Sequence, residues 1–136
     1  MKQSTLSRKL LLKAGQTATV LNAPTGFEQT LEPLPERAAV SHTLKSKMSF
    51  ALLFVRNVRE LERWGAKLVR AMAHDGLLWV AYPKKSSKME SDITRDVGWD
   101  VITRAGLRCV AQIAIDATWS ASRFRPLELV GSSRKA

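Results

Sequence analysis

The chain has 136 residues, the size of one domain. Its 45% hydrophobic and 25% charged residues are a globular composition, which excludes a fibrous repeat or a wholly disordered chain. Twenty-two Lys and Arg against twelve Asp and Glu leave +10, an excess that points to an anionic partner without naming one.

Residues 5–13 read as a short helix ending at Gly15. Thr17 to Leu21 is short, apolar and β-branched, so a buried strand is expected there. Asn22-Ala23-Pro24-Thr25-Gly26 stops it, and Thr25 opens a brief helix that Pro33 and Pro35 end. Ala38 to Thr43 is a weak strand and Phe50 to Val55 a strong one. From Asn57 to His74, Val58, Leu61, Gly65, Leu68, Val69 and Met72 recur at spacings of mostly three and four, which predicts a helix capped by Asn57. Leu77 to Tyr82 is a second strong strand, followed by a basic loop from Pro83 to Glu90. Ile93, Val97, Val101 and Ile102 predict a helix from Ser91 or Asp92, with Gly106 as its left-handed stop. Leu107 to Ile115 is a third strong strand, with Cys109 expected as a small buried residue, and Ala121 to Leu127 returns beside it.

Strands alternating with helices indicate a small three-layer α/β fold of Rossmann-like type. Its sheet is expected to be mostly parallel with a C-terminal antiparallel hairpin. The whole chain, 1–136, is one such domain in this reading, with 1–14 and 131–136 peripheral.

Cys109 is the only cysteine, which excludes an internal disulfide and zinc sites of four Cys or of two Cys and two His. His42 and His74 have no metal-ligand spacing with other residues, so no metal is expected. Leu10-Leu11-Leu12 is too short an apolar run for a signal peptide, and no stretch reaches the ~20 apolar residues of a membrane span. A cytoplasmic protein with no membrane partner is expected. The charge is spread: eleven basic and five acidic residues fall in 1–68, eleven and seven in 69–136.

Ligands of open parallel sheets sit outside the carboxyl ends of the strands. The rule collects Asn22 and Pro24, then Tyr82, Lys84 and Lys85, then Asp92 and Arg95, then Asp116, Trp119, Ser120 and Arg123. The lysine loop after Tyr82 either surrounds an anion or is a solvated connection. A helix starting at Asp92 would add its positive end, and Arg95 in its first turn would oppose that dipole unless paired. Asp116 takes the fork of Arg123 or Arg95 in this reading, and Trp119 either stacks on a base or covers the core. Ser120 lacks a His–Asp partner, so no catalytic residue is assigned. Arg56, Arg59, Arg63, Lys67 and Arg70 form a separate basic stripe on the 57–74 helix. It is either a solubilising face or a contact for nucleic acid.

Tyr82-Pro83-Lys84-Lys85, Asp92-Ile93-Thr94-Arg95-Asp96 with Trp99, and Asp116-Ala117-Thr118-Trp119-Ser120 with Arg123 follow one another in order, after Val20-Leu21-Asn22-Ala23-Pro24. Together they resemble a small bacterial protein family of unknown function. The resemblance implies that family's Rossmann-like domain and marks Asn22, Pro24, Tyr82, Lys84, Asp92, Arg95, Asp116, Trp119, Ser120 and Arg123 as its recurrent positions. More distantly, the elements from Phe50 onward resemble the second half of the class I methyltransferase fold. The first turn has no glycine-rich loop, and the second strand ends without an acid, so neither S-adenosylmethionine nor NAD is expected. The leading expectation is a domain that binds an anionic small molecule, a phosphorylated metabolite or nucleotide. A nucleic-acid-associated protein and a homo-oligomeric interaction module are the alternatives.

Overall fold

The computed structural model describes residues 3–133. Its elements are α1 (Thr5–Lys9), β1 (Thr17–Leu21), a 3-10 turn (Glu28–Leu31), β2 (Ala39–Ser41), β3 (Met48–Phe54), α2 (Val58–Ala71), β4 (Met72–Pro83), α3 (Asp100–Arg104), β5 (Leu107–Ala114), β6 (Trp119–Pro126) and α4 (Leu127–Ser133). The apolar runs become strands because a sheet with both faces covered needs side chains that tolerate burial on either side. Ala51 to Val55 and Leu78 to Ala81 are all nearly inaccessible.

The six strands form one mixed sheet in the order β2-β1-β3-β4-β6-β5. β2, β1, β3 and β4 run parallel, while β6 is antiparallel to both β4 and β5. This overturns the expected three-layer Rossmann-like, mostly parallel fold. The antiparallel ladders carry about as much of the sheet as the parallel ones. The strand order is not that of a doubly wound sheet, and the helices are too few and too short for two helical layers. β1 and β2 are joined through a 3-10 turn where a brief helix was expected, β2 and β3 by irregular chain, and β4 and β5 by a long loop and the five-residue α3 where a full crossover helix was expected. The structure is α/β in the coarser sense only.

α2 and α3 cover one face, packing Leu61, Leu68 and Ile102 against Leu53, Val80 and Phe124. The other face is covered by the N-terminal segment and the 3-10 turn. Leu10, Leu12, Phe27 and Leu31 pack there on Phe50, Leu52 and Trp79. Leu10 is wholly buried, so the segment expected at the periphery contributes to the core. Trp79, also buried, donates its indole N–H to the Leu10 carbonyl at 3.0 Å, across 69 residues of sequence. Residues 134–136 of the expected tail lie outside the described residues, and 127–133 are helical.

Several boundaries move for identifiable reasons. α2 stops at Ala71 and runs directly into β4, so His74 lies in a strand. β4 pairs with β3 at Met72, leaves the register, and resumes at Leu77 opposite Phe50. Between them Asp75 takes a left-handed φ of 56°, and both its carboxylate oxygens accept from the Arg125 guanidinium at 2.9 and 2.8 Å. The helix expected from Ser91 shrinks to α3. Val97 is 59% exposed, so the apolar spacing that suggested a buried face is not used as one. Gly106 does take the expected left-handed conformation, at φ 92°. Cys109, expected in the core, is exposed because β5 is an edge strand, and the register slips beside it, between Cys109 and Ala111.

Trp79→Phe removes one donor and leaves the Leu10 carbonyl unpaired in the core. The expected cost is about 1–3 kcal/mol in equilibrium urea unfolding. A change of a few tenths would show that the bond contributes nothing.

The Arg125 hydrogen bonds hold the Asp75 carboxyl below its ordinary value, against the opposing effect of burial. A carboxylate depressed in the folded state stabilises the fold above its unfolded pKa, and that contribution is lost as pH falls through the folded value. Asp75→Asn is expected to shallow the decline of Tm below about pH 4, and an unaltered decline would refute the assignment.

Candidate functional site at the carboxyl edge of the parallel strands

β4 and β6 pair Tyr82 with Ser120, so both side chains stand on the face that α2 and α3 cover. Gln112 of β5, opposite Ser122, donates its amide N–H to the Ser122 hydroxyl at 3.1 Å. Tyr82, Ser120 and Gln112 floor a cleft of about 430 Å3, walled by Lys84, Lys85, Ser86, Thr94, Arg95 and Asp96. A second hollow of about 380 Å3 adjoins it behind the lysines and shares Lys84, Lys85 and Thr94.

The walls come from the chain between β4 and α3, which is fastened at three points. The Lys84 N–H donates to the Thr118 carbonyl at 2.7 Å, and the Lys84 carbonyl accepts from Ser87 in a tight turn. The Thr94 hydroxyl accepts from the N–H groups of Asp96 and Val97, while the Thr94 N–H donates to the Val97 carbonyl. The Trp99 indole donates to the Thr94 carbonyl at 2.9 Å and the Arg95 carbonyl at 3.2 Å. Its ring meets Tyr82 edge-on at 5.3 Å and Phe124 at 5.1 Å. Gly98 allows the approach: its φ is 103°, and a Cβ there would lie 3.0 Å from a Val58 methyl.

Arg95 therefore sits in a loop and opposes no helix dipole. Among the described residues, the side chains of Lys84, Lys85 and Arg95 make no hydrogen bond or ion pair. Asp96 is the only acid in the cleft wall. Burial pushes the Tyr82 phenol above its ordinary value, against smaller opposing effects of Ser122 and Arg95. It stays a neutral hydroxyl at physiological pH. Neither histidine lines the cleft. The arrangement is suited to holding an oxyanion.

The structure brings together Tyr82, Lys84, Lys85, Arg95 and Ser120 from the expected set and disperses the rest. Asp92 accepts from the Val58 N–H at 2.8 Å, capping α2 from a separate loop beside the Asn57 cap. Asn22, left-handed at φ 60°, donates to the Phe54 carbonyl at 2.8 Å and reaches Glu60 at 3.4 Å. Pro24 lines a different hollow, with His42 and Glu28. The Asp116 carboxylate pairs with neither arginine. It accepts from the Thr118 and Trp119 N–H groups, closing the β5–β6 turn. Trp119 is 6% exposed and packs edge-on against Phe54 at 5.0 Å, so it belongs to the core. Arg123 stands on the opposite face, at the other end of the strands.

Thr94 and Asp96 lie in the 92–96 segment, and Ser86 in the basic loop, that the sequence singles out; Gln112 lies in neither. Gln112 is the one a signal could have found, as a lone carboxamide in the apolar run from Cys109 to Ile115. His42 presents both ring nitrogens to acceptors, the Val20 carbonyl and Glu28. The Glu28 bond first, then the carbonyl, raises its pKa.

On the basic stripe, Arg56 is held by Glu60 at 2.8 Å, and the Lys67 ammonium lies 5.5 Å over the Trp64 ring. Arg59, Arg63 and Arg70 are exposed and unpaired among the described residues. No helix of the described chain is long and apolar enough to cross a membrane. The described residues hold no group of three or more His, Cys, Asp or Glu placed for a metal ion. Comparison with protein-family models and with curated proteins gives no match for the chain.

Trp99→Phe keeps the ring and removes the donor. Amide exchange at Asp96 and Val97 is expected to rise several-fold while core amides keep their protection. Uniform protection across both regions would show that the indole does not fasten the loop.

Proposed function

We propose that the protein binds a small phosphorylated metabolite or nucleotide in the cleft between β4, β6 and the 84–96 loop. The observation that carries this reading is the convergence of three cations lacking side-chain partners, Lys84, Lys85 and Arg95, on one concave floor. An arginine offers a planar fork to a phosphate and a lysine a movable point charge, so the set suits a dianionic group. The Tyr82 and Ser120 hydroxyls stand beneath it as neutral donors.

A second reading, a nucleic-acid contact, rests on the exposed face of α2, where Arg59, Arg63 and Arg70 have no partner among the described residues and Lys67 extends the row. Phosphate backbones would lie along such a ridge, with affinity falling steeply with salt.

Calorimetric titration with nucleoside monophosphates, sugar phosphates and a short DNA duplex separates the two readings. Saturable binding of a phosphate monoester is expected. Lys84→Ala and Arg95→Ala should each weaken it about tenfold, the size of one charge-assisted hydrogen bond, with Tm nearly unchanged. Binding of the duplex alone, weakened by Arg59→Gln and Arg63→Gln and indifferent to Lys84→Ala, would favour the ridge. No binding of any phosphate compound would refute the cleft reading.

A further inference from the structure

The sheet carries a second charged hollow, at the amino-terminal end of its parallel strands and on the opposite face from the cleft. It exists because β4 leaves its register with β3 between Met72 and Leu77, and the displaced backbone opens a space of about 520 Å3. Arg123 of β6 reaches it from the sheet, Ser49 from β3, and Leu11, Lys13 and Gln16 from the chain before β1.

The hollow's only carboxylate is already used. Both oxygens of Asp75 accept from Arg125, which leaves Arg123, two residues earlier on the same strand face, without that partner. Arg123 makes no side-chain hydrogen bond or ion pair among the described residues, and its Nε is cut off from solvent. That nitrogen is out of reach of a ligand, so the terminal Nη groups, which are not cut off in this way, are the ones that face an acceptor in the hollow. Burial and the neighbouring Arg125 charge both disfavour its charged form, and Asp75 only partly offsets them. The other polar side chains around the hollow, Lys13, Gln16, Ser49 and His74, can also donate. Gln16 turns its carbonyl oxygen to the Lys13 N–H at 3.0 Å, so its amide N–H2 is the free end. Lys13 and Ser49 are exposed, and their side chains have no partner among the described residues. Leu11, 43% exposed, adds an apolar wall.

We infer that this hollow is an anion-binding site, in which Arg123, Lys13 and Gln16 hold the terminal phosphate or carboxylate of a small organic anion. The space exceeds what a bare oxyanion fills, and Leu11 gives the organic part something to pack on. The site is independent of the cleft at the other end of the sheet.

The test is a 15N-edited NMR titration that follows the Arg123 Nε–H and Gln16 N–H2 resonances, with inorganic phosphate, acetate, phenyl phosphate and benzoate as probes. Saturable shifts of both resonances are expected, tighter for the aromatic anions than for the bare ones. Phosphate against carboxylate preference distinguishes the two headgroups. Lys13→Gln, a change at an exposed position, and Arg123→Lys, which keeps the charge but loses the fork, should each weaken the binding about tenfold. Lys84→Ala should leave it unchanged. Shifts that stay linear into the tens of millimolar with every probe would overturn the inference. So would saturable binding that survives both Lys13→Gln and Arg123→Lys, or that disappears in Lys84→Ala.

Discussion

Strand β6 hydrogen-bonds to β4 along one side and to β5 along the other, and its two-residue alternation sorts the surfaces of the molecule. Ser120, Ser122 and Phe124 face α2 and α3, where they meet Tyr82, Gln112 and Trp99. Trp119, Ala121, Arg123 and Arg125 face the N-terminal segment. The strand can be inserted only because its middle is small: Ala121 and Ser122 are fully buried opposite Ala81 and Val80. A one-residue slip would exchange the two sets, placing arginines under α3 and an aromatic ring in the charged hollow. The pairing register of β6 is therefore the constraint on which both candidate sites depend.

Around that sheet, charge is used in two ways. Some pairs are structural. Glu60 takes the Arg56 guanidinium and the Asn22 amide and so ties the ends of β1, β3 and α2 together. Asp75 takes Arg125 at the kink in β4. Among the described residues, basic side chains without an acidic partner gather at the rim of the cleft, in the row on α2, and at Arg123 with Lys13, while others, among them Lys45, Lys47 and Arg104, are simply exposed. The net +10 is set by composition alone, and where its unpaired members gather is more informative than its size.

Much of the element list was legible in the sequence, and most of the tertiary arrangement was not. Continuous apolar runs announced β3 and the inner part of β4, because deep burial leaves few other residue types possible, whereas the run that announced β5 lies on a half-exposed edge strand. Asn57 and the spacing of Leu61, Gly65 and Leu68 announced α2. The same kind of spacing misled at Ile93, Val97, Val101 and Ile102. There the Thr94 hydroxyl and Gly98 favour turns, and the Trp99 N–H is satisfied by loop carbonyls that a helix would have used itself. Strand order has no local signature, so nothing near Asp116 indicates that β6 will slide between β4 and β5. The strand-end rule led to the segment next to β4, which lines the cleft. It also led to Asp116, at the carboxyl end of β5, whose carboxylate closes the β5–β6 turn, and to Trp119 and Arg123, which stand on the opposite face of β6 from Ser120.

The slip of register between Cys109 and Ala111 also bears on how the protein behaves in concentrated solution. β2 and β5 are the sheet's two free borders, and each could in principle recruit a strand from another chain. β2 offers three residues. β5 is longer, but one extra residue, Val110, breaks the regular sequence of outward N–H and C=O groups halfway along. An incoming strand could match either half of β5 but not both in one register. Growth of the sheet by edge-on stacking therefore loses its hydrogen-bonding return after a few residues at either border, and this protects a molecule with so apolar a centre from fibrous aggregation.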